Sequence, residues 1–251
     1  MAALAELVAF LDRELQVASI SDYPGAWNGL QLANDGRVDR IVAAVDASLP
    51  VMAAAGLGGS GLLLVHHGLF WQGAQPITGG FYRKLKTAMA DGLAVYSSHL
   101  PLDVHFEWGN NQLLARAIGM VDPQPFFEHQ GLCLGVRGSW IGTRSDLAER
   151  LRCVVGGAVH VCPGGSETVT TVGVITGAAG REVAKMAALG VDAFVTGEGP
   201  HWSYSLAEEL GINVFYAGHY ATETLGVQVL AQALAKKFQL PWTFIDRPTG
   251  L

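Results

Sequence analysis

Cysteine is scarce in this 251-residue chain, which holds only Cys133, Cys153 and Cys162. The number is odd and no two form a C-x-x-C pair, so neither a disulfide framework nor a structural zinc knuckle is expected. Charge is scarce too. Charged residues make up 15% of the chain, against about 25% in an ordinary soluble domain. The balance is acidic, with 16 Lys and Arg against 22 Asp and Glu. No Lys/Arg cluster breaks it, which disfavours nucleic acid as a partner. Long apolar runs are missing as well. Asp46 and many glycines interrupt the longest apolar region, so no membrane span is expected. Residues 1–16 lack the basic start and cleavage site of a signal peptide. They place Glu6, Asp12, Arg13 and Glu14 in an amphipathic pattern, which reads as a helix of a cytoplasmic protein. Half of the chain is nonetheless apolar (50%), which implies extensive buried surface, shared with other subunits.

The apolar residues come in short runs separated by glycine-rich turns and amphipathic stretches, the signature of an α/β fold. Residues 40–44 and 62–65 read as strands with a helix at 49–55 between them. A helix at 81–90, a strand at 93–96 and a helix at 110–118 follow. A second region opens near Pro123. It has a strand at 132–140, a helix at 146–153 capped by Ser145, a strand at 169–176, a helix at 181–189 and a strand at 193–195. The tail reads as strand 212–216, helix 220–238 and strand 242–245. Val45 and Val65 end two strands at the same interval as Ile175 and Val195, which suggests an internal βαβ duplication. The expected architecture is two intertwined α/β halves with a metal site in the cleft between them. Residues 1–122 form the first half and 123–210 the second, and 211–251 return to the first.

Chemistry gathers at strand ends. The 62–65 run leads into His66-His67-Gly68, and ligands in open α/β sheets bind beyond the carboxyl ends of strands. Neighbouring strand residues point to opposite faces. Both imidazoles can therefore serve one site only if the chain leaves strand geometry at about His67, a turn Gly68 would allow. His219 and Glu223, at i and i+4, share one helix face after Gly218 and can reach a common ion. His99 and Asp103 form a third cluster. Each cluster alone has a bland reading, as a hydrogen-bonded loop His, a surface His–Glu pair or a turn-capping Asp. Three together point to a metal of the zinc, iron or manganese kind. Five or six such donors exceed the three that one catalytic ion usually takes from the protein, so a dinuclear site is expected.

These stretches, His66-His67-Gly68, Ser98-His99-Leu100-Pro101-Leu102-Asp103, Thr196-Gly197-Glu198 and Gly218-His219-Tyr220-Ala221-Thr222-Glu223, resemble the motifs of the NIF-three-like dinuclear metal-centre proteins. Members of that family are often named GTP cyclohydrolase type-two homologues. The likeness runs from Asn28-Gly29-Leu30-Gln31 to the C-terminus and is greatest to the short bacterial branch, which lacks the large insertion between the halves. It implies a toroidal homohexamer with two divalent ions per subunit. The implied metal ligands are His66, His67, Asp103, His219 and Glu223, with His99 close by. The 196–198 loop would line the cleft. His201 fits no motif, and with His105, His129 and His160 it reads as solvated or locally hydrogen-bonded.

The expected function is metal-dependent hydrolysis of a small molecule, with His99 moving a proton or completing the second ion's shell. No Walker-type loop and no G-x-G-x-x-G after a strand supports nucleotide chemistry, so a GTP cyclohydrolase-like reaction follows from the resemblance alone. The alternative is a non-catalytic metal-binding hexamer acting as a scaffold or regulator.

Overall fold

Apolar runs with both faces covered build the two larger sheets of this chain, beside a two-stranded β1-β3 pair. The computed structural model describes residues 1–251. They divide into two compact units, residues 1–102 with 226–247 and residues 103–225 with 248–251.

The first unit contains β1 (Ala2–Ala3), α1 (Leu4–Glu14), β2 (Gly29–Leu32), β3 (Arg37–Val38), β4 (Arg40–Asp46), α2 (Leu49–Gly56), β5 (Gly61–His67), α3 (Gly79–Ala90) and β6 (Leu93–Ser97). Strands β4, β5 and β6 run parallel side by side, and β2 lies antiparallel on β6. Val42, Leu63 and Val95 of these strands pack with Val51, Met52 and Ala88 of the connecting helices. Ser48 starts α2, its side chain accepting the Val51 N–H, while Pro50 occupies the first turn, where its missing N–H costs nothing.

At α4 (Leu100–Asp103) the chain crosses into the second unit. There follow α5 (Asn110–Ala117), β7 (Val121–His129), β8 (Leu132–Thr143), α6 (Arg144–Val155), β9 (His160–Pro163) and β10 (Thr168–Val174). A 3-10 turn (Ala179–Glu182) leads to α7 (Val183–Ala188), β11 (Ala193–Thr196), α8 (Trp202–Leu210), β12 (Asn213–Tyr216) and α9 (His219–Thr222). The sheet order is β7-β8-β10-β11-β12-β9, with β10, β11 and β12 parallel. Adjacent residues of β11 serve opposite faces: Phe194 packs with Met186 and Val214, Val195 with Leu147 and Phe215. Helix α10 (Thr224–Phe238) returns the chain to the first unit, where β13 (Trp242–Phe244) joins parallel to β4. Each unit thus carries three consecutive parallel strands joined by two helices.

The α/β class expected from the pattern is the one adopted. Several details differ. Strand β7 was not expected, because Pro123 and Pro125 interrupt its run. It sits at the sheet edge, where a missing N–H is tolerated. Strand β9 is a four-residue edge strand, and α8 opens without a side-chain cap. The helix expected at 220–238 is broken at Glu223, which separates α9 from α10. No helix is long and apolar enough to cross a membrane.

Candidate metal centre

In the first unit, β5 keeps strand geometry through His67, so the expected departure from it at that residue does not occur. The two rings still lie close, with centroids 4.8 Å apart, because each is drawn toward a different neighbouring strand end. His66 Nδ1 donates to the Ser98 carbonyl at 3.0 Å, just beyond β6. His67 Nδ1 donates to Asp46 Oδ1 at 2.9 Å, at the end of β4. Asp46 and His67 are register partners across that pair of strands, so the contact is set by the sheet itself. Gly68 packs against the end of the Gln31 side chain: a Cβ there would lie 2.3 Å from Gln31 Nε2. Gln31 Oε1 accepts the Leu69 N–H and so ties down the chain after the histidines.

His99 completes this set. Its Nδ1 donates to Asp22 Oδ1 at 2.9 Å, and its own N–H goes to Asn28 Oδ1. Asp22 also accepts from Asn28 Nδ2 and from the Leu100 N–H. Burial alone would raise the Asp22 carboxyl, but His99 and these other donors outweigh it and hold its pKa below the ordinary value. His66, His67 and His99 each offer a ligand atom within 4.8 Å of the others.

The second unit holds the remaining expected ligands. His219 follows Gly218, whose φ of +90° suits glycine. His219 Nδ1 donates to Glu198 Oε1 at 2.8 Å, and its Nε2 lies 3.2 Å from Glu223 Oε2. The i,i+4 pairing therefore holds although the helix breaks at Glu223. Burial disfavours the charged imidazole, yet Glu223 and Glu198 outweigh it and push its pKa up to about 9. Gly177 (φ +70°) makes room for this pair, since a Cβ there would come within 2.4 Å of Glu223 Oε1. Asp103 is buried and accepts from Asn110 Nδ2 at 2.8 Å. Asn111 Nδ2 donates to the Asp103 carbonyl, and Asn111 Oδ1 accepts the Thr176 N–H. The next residue, Gly177, donates its N–H to Thr222 Oγ1. Buried hydrogen bonds thus tie Asp103, through Asn111, and Thr222, the residue before Glu223, to the same 176–177 turn.

All four histidines share one feature. In each, Nδ1 faces a carbonyl or carboxylate, groups that only accept, so Nδ1 carries the proton and Nε2 is the atom left to ligate. Metal-binding histidines are oriented in this way. The donors are imidazole nitrogen and carboxylate oxygen, a set suited to zinc, iron or manganese. Asp22, Asp46, Asn110 and Gly177 escaped the sequence reading as supports of the site, while Glu198 was expected only within a cleft-lining loop. Asp46 alone left a signal, as a carboxylate ending the strand before the histidine strand. Of the other histidines, His105 caps its own loop by accepting the Trp108 N–H, while His160 and His201 line a cavity of the second unit.

The chain matches the family model Duf34/NIF3 (NGG1p interacting factor 3) over residues 2–249, and it belongs to that family. It is 41% identical to a Deinococcus radiodurans protein named GTP cyclohydrolase 1 type 2 homolog, over 98% of this chain and 94% of that one. An Escherichia coli protein of the same name is 37% identical, with 97% of each chain covered. The crystal structure of TTHA1606 from Thermus thermophilus is similar, with a TM-score of 0.90 at 38% identity and 100% of both chains covered.

Proposed function

We propose that this chain is a metal-dependent hydrolase acting on a small molecule, with two divalent ions held by His66, His67, Asp103, His219 and Glu223. The observation that carries the reading is the common tethering of His66, His67 and His219 at Nδ1, which turns Nε2 toward ligation. The number of donors and the relatives' shared name support it. Bound ions of this class supply Lewis acidity and lower the pKa of a water toward about 7. His99 is the residue that moves the proton. Asp22, buried and held ionised, fixes its Nδ1–H and leaves Nε2 to accept, the arrangement of an oriented general base. The apolar composition and the family together favour a homohexamer as the working assembly.

Metal analysis of untagged protein, followed by a metabolite-turnover screen, tests this. The expected result is about two ions per chain, hydrolysis that stops on chelation, and recovery on refilling with zinc, iron or manganese. Turnover that persists in metal-free protein overturns the mechanism. The His99→Ala variant should keep both ions and turn over slowly; loss of one ion would make His99 a ligand instead. Light scattering should give a hexamer mass, and a monomer at micromolar concentration contradicts the assembly.

A further inference from the structure

The second unit contains a cavity of 490 Å³, inside the range of about 300–1,000 Å³ common for small-molecule pockets. Aromatic rings build one part of its wall, and sheet register explains two of them. Strands β9 and β12 pair antiparallel with His160 opposite Tyr216, so both side chains leave the sheet on the same face. Their ring centroids lie 6.1 Å apart at 30°. Tyr204 from α8 adds a third ring, 5.6 Å from His160. The Tyr216 ring is anchored at its far end. Ser203 Oγ spends its single proton on the Pro200 carbonyl at 2.6 Å, so its 2.7 Å contact with Tyr216 is a hydrogen bond donated by the phenol.

Glu198 supplies the polar part. A Cβ on Gly197 would lie 2.6 Å from the Gly177 carbonyl oxygen, and one on Gly199 would lie 2.9 Å from Gly180 Cα. Neither position has room for a side chain, so the loop after β11 presents Glu198 between two bare residues. Glu198 Oε1 accepts from His219, while its side chain remains 41% exposed at the cavity wall. The cavity and the candidate ligand His219 therefore share one carboxylate. Stacked rings beside a carboxylate select a flat ligand that carries an N–H donor.

We infer that this cavity binds a planar nitrogen heterocycle bearing an exocyclic amine, its ring packed against His160 and Tyr204 and its amine donating to Glu198. This names a substrate class for the proposed hydrolase and rests on that reading for the reaction, though binding itself needs only the second unit.

The test is fluorescence titration of 2-aminopurine with the whole protein, as purified and after chelation, with metal content measured separately. Saturable quenching is expected in both forms. Purine, which lacks the amine, should compete about tenfold more weakly. His160→Ala and Tyr204→Ala should each weaken 2-aminopurine about tenfold. Glu198→Gln should weaken 2-aminopurine and leave purine unchanged. Absence of saturable quenching, equal competition by purine, or ring variants that bind like wild type would each overturn the inference. Protein that holds no metal yet binds 2-aminopurine would overturn the proposed hydrolase and leave the cavity assignment standing. Protein that holds two ions and binds no 2-aminopurine would do the reverse.

Discussion

The ends of β5 and β6 in the first unit and the ends of β11 and β12 in the second stand at matching places in similarly ordered sheets, yet they bring different chemistry. The first end gathers three imidazoles, His66, His67 and His99, each oriented by an acceptor from a different segment. The second places one imidazole, His219, against two carboxylates, Glu198 and Glu223. In the first unit each imidazole has one acceptor at Nδ1, a carbonyl for His66 and a single carboxylate for His67 and for His99. A ring held by two carboxylates is charged until an ion displaces its proton. The same parallel-strand scaffold thus offers three singly tethered rings at one end and one ring between two carboxylates at the other.

The largest effect should come from removing a ring on either side. His66→Ala and His219→Ala are each expected to weaken metal binding by more than about 100-fold, beyond the usual loss for a supporting residue. Circular dichroism should show the fold retained, since His219 is part-exposed and His66 sits at a strand end. Metal analysis decides the matter. A variant that keeps its full metal content would remove its unit from the assignment and break the symmetry of the comparison.

Glycine substitutions come next. Gly177→Ala forces a side chain into a left-handed backbone and against buried Glu223. Strain of about 1–3 kcal/mol is expected, which lowers Tm by roughly 2–4 °C per kcal/mol in a chain of this size. Gly68→Ala meets only the amide end of Gln31, which can swing away, so its Tm should fall less. Equal shifts on thermal melting would show that the two strand ends are equally rigid.

The α/β order, the parallel strands and every ring now placed at a strand end were legible because they depend on local pattern: apolar runs, glycine stops, histidine at the run's end. What escaped reading depends on distant chain. Asp22 supports His99 across a separation of 77 residues, and nothing near Asp22 in sequence marks it. Gly177 looks like any turn glycine until Glu223 is seen against it. Edge strands β7 and β9 were lost for another reason: proline in the first and shortness in the second erase the alternation that marks a strand. The i,i+4 relation of His219 and Glu223 was right although the continuous helix assumed for it was not, because one turn of α9 suffices to set the spacing.

Smaller losses are expected from the carboxylates that orient the rings. Asp46→Asn and Glu198→Gln keep an acceptor oxygen but lose its charge, so each should weaken metal binding by about tenfold, the low end for such supports. Competition with a chelator of known affinity measures it. A larger loss at Glu198 would mark the second unit's charge as the dominant contribution. No change at either would show that orientation, without charge, is all the rings require.

The smallest effect, and the one that separates the two units most cleanly, is the pH dependence of metal-free stability. His219 has a folded pKa of about 9 against an ordinary 6.5. Its contribution is therefore fully present below 6.5, shrinks as pH rises, and is gone above about 9. Asp22 works in the opposite direction. Its pKa is lowered from 3.8, so its contribution is present above that value and is lost as pH falls below it. Denaturant midpoints of chelated protein should show wild type exceeding His219→Ala near pH 6, with the gap closing through pH 9 by the equivalent of a few degrees of Tm, roughly. Wild type should exceed Asp22→Asn near pH 6 as well, with that gap closing only in acid. If the His219→Ala gap stays constant from pH 6 to 10, the two carboxylates do not hold a charged ring. The proton cost expected at the second strand end would then be absent.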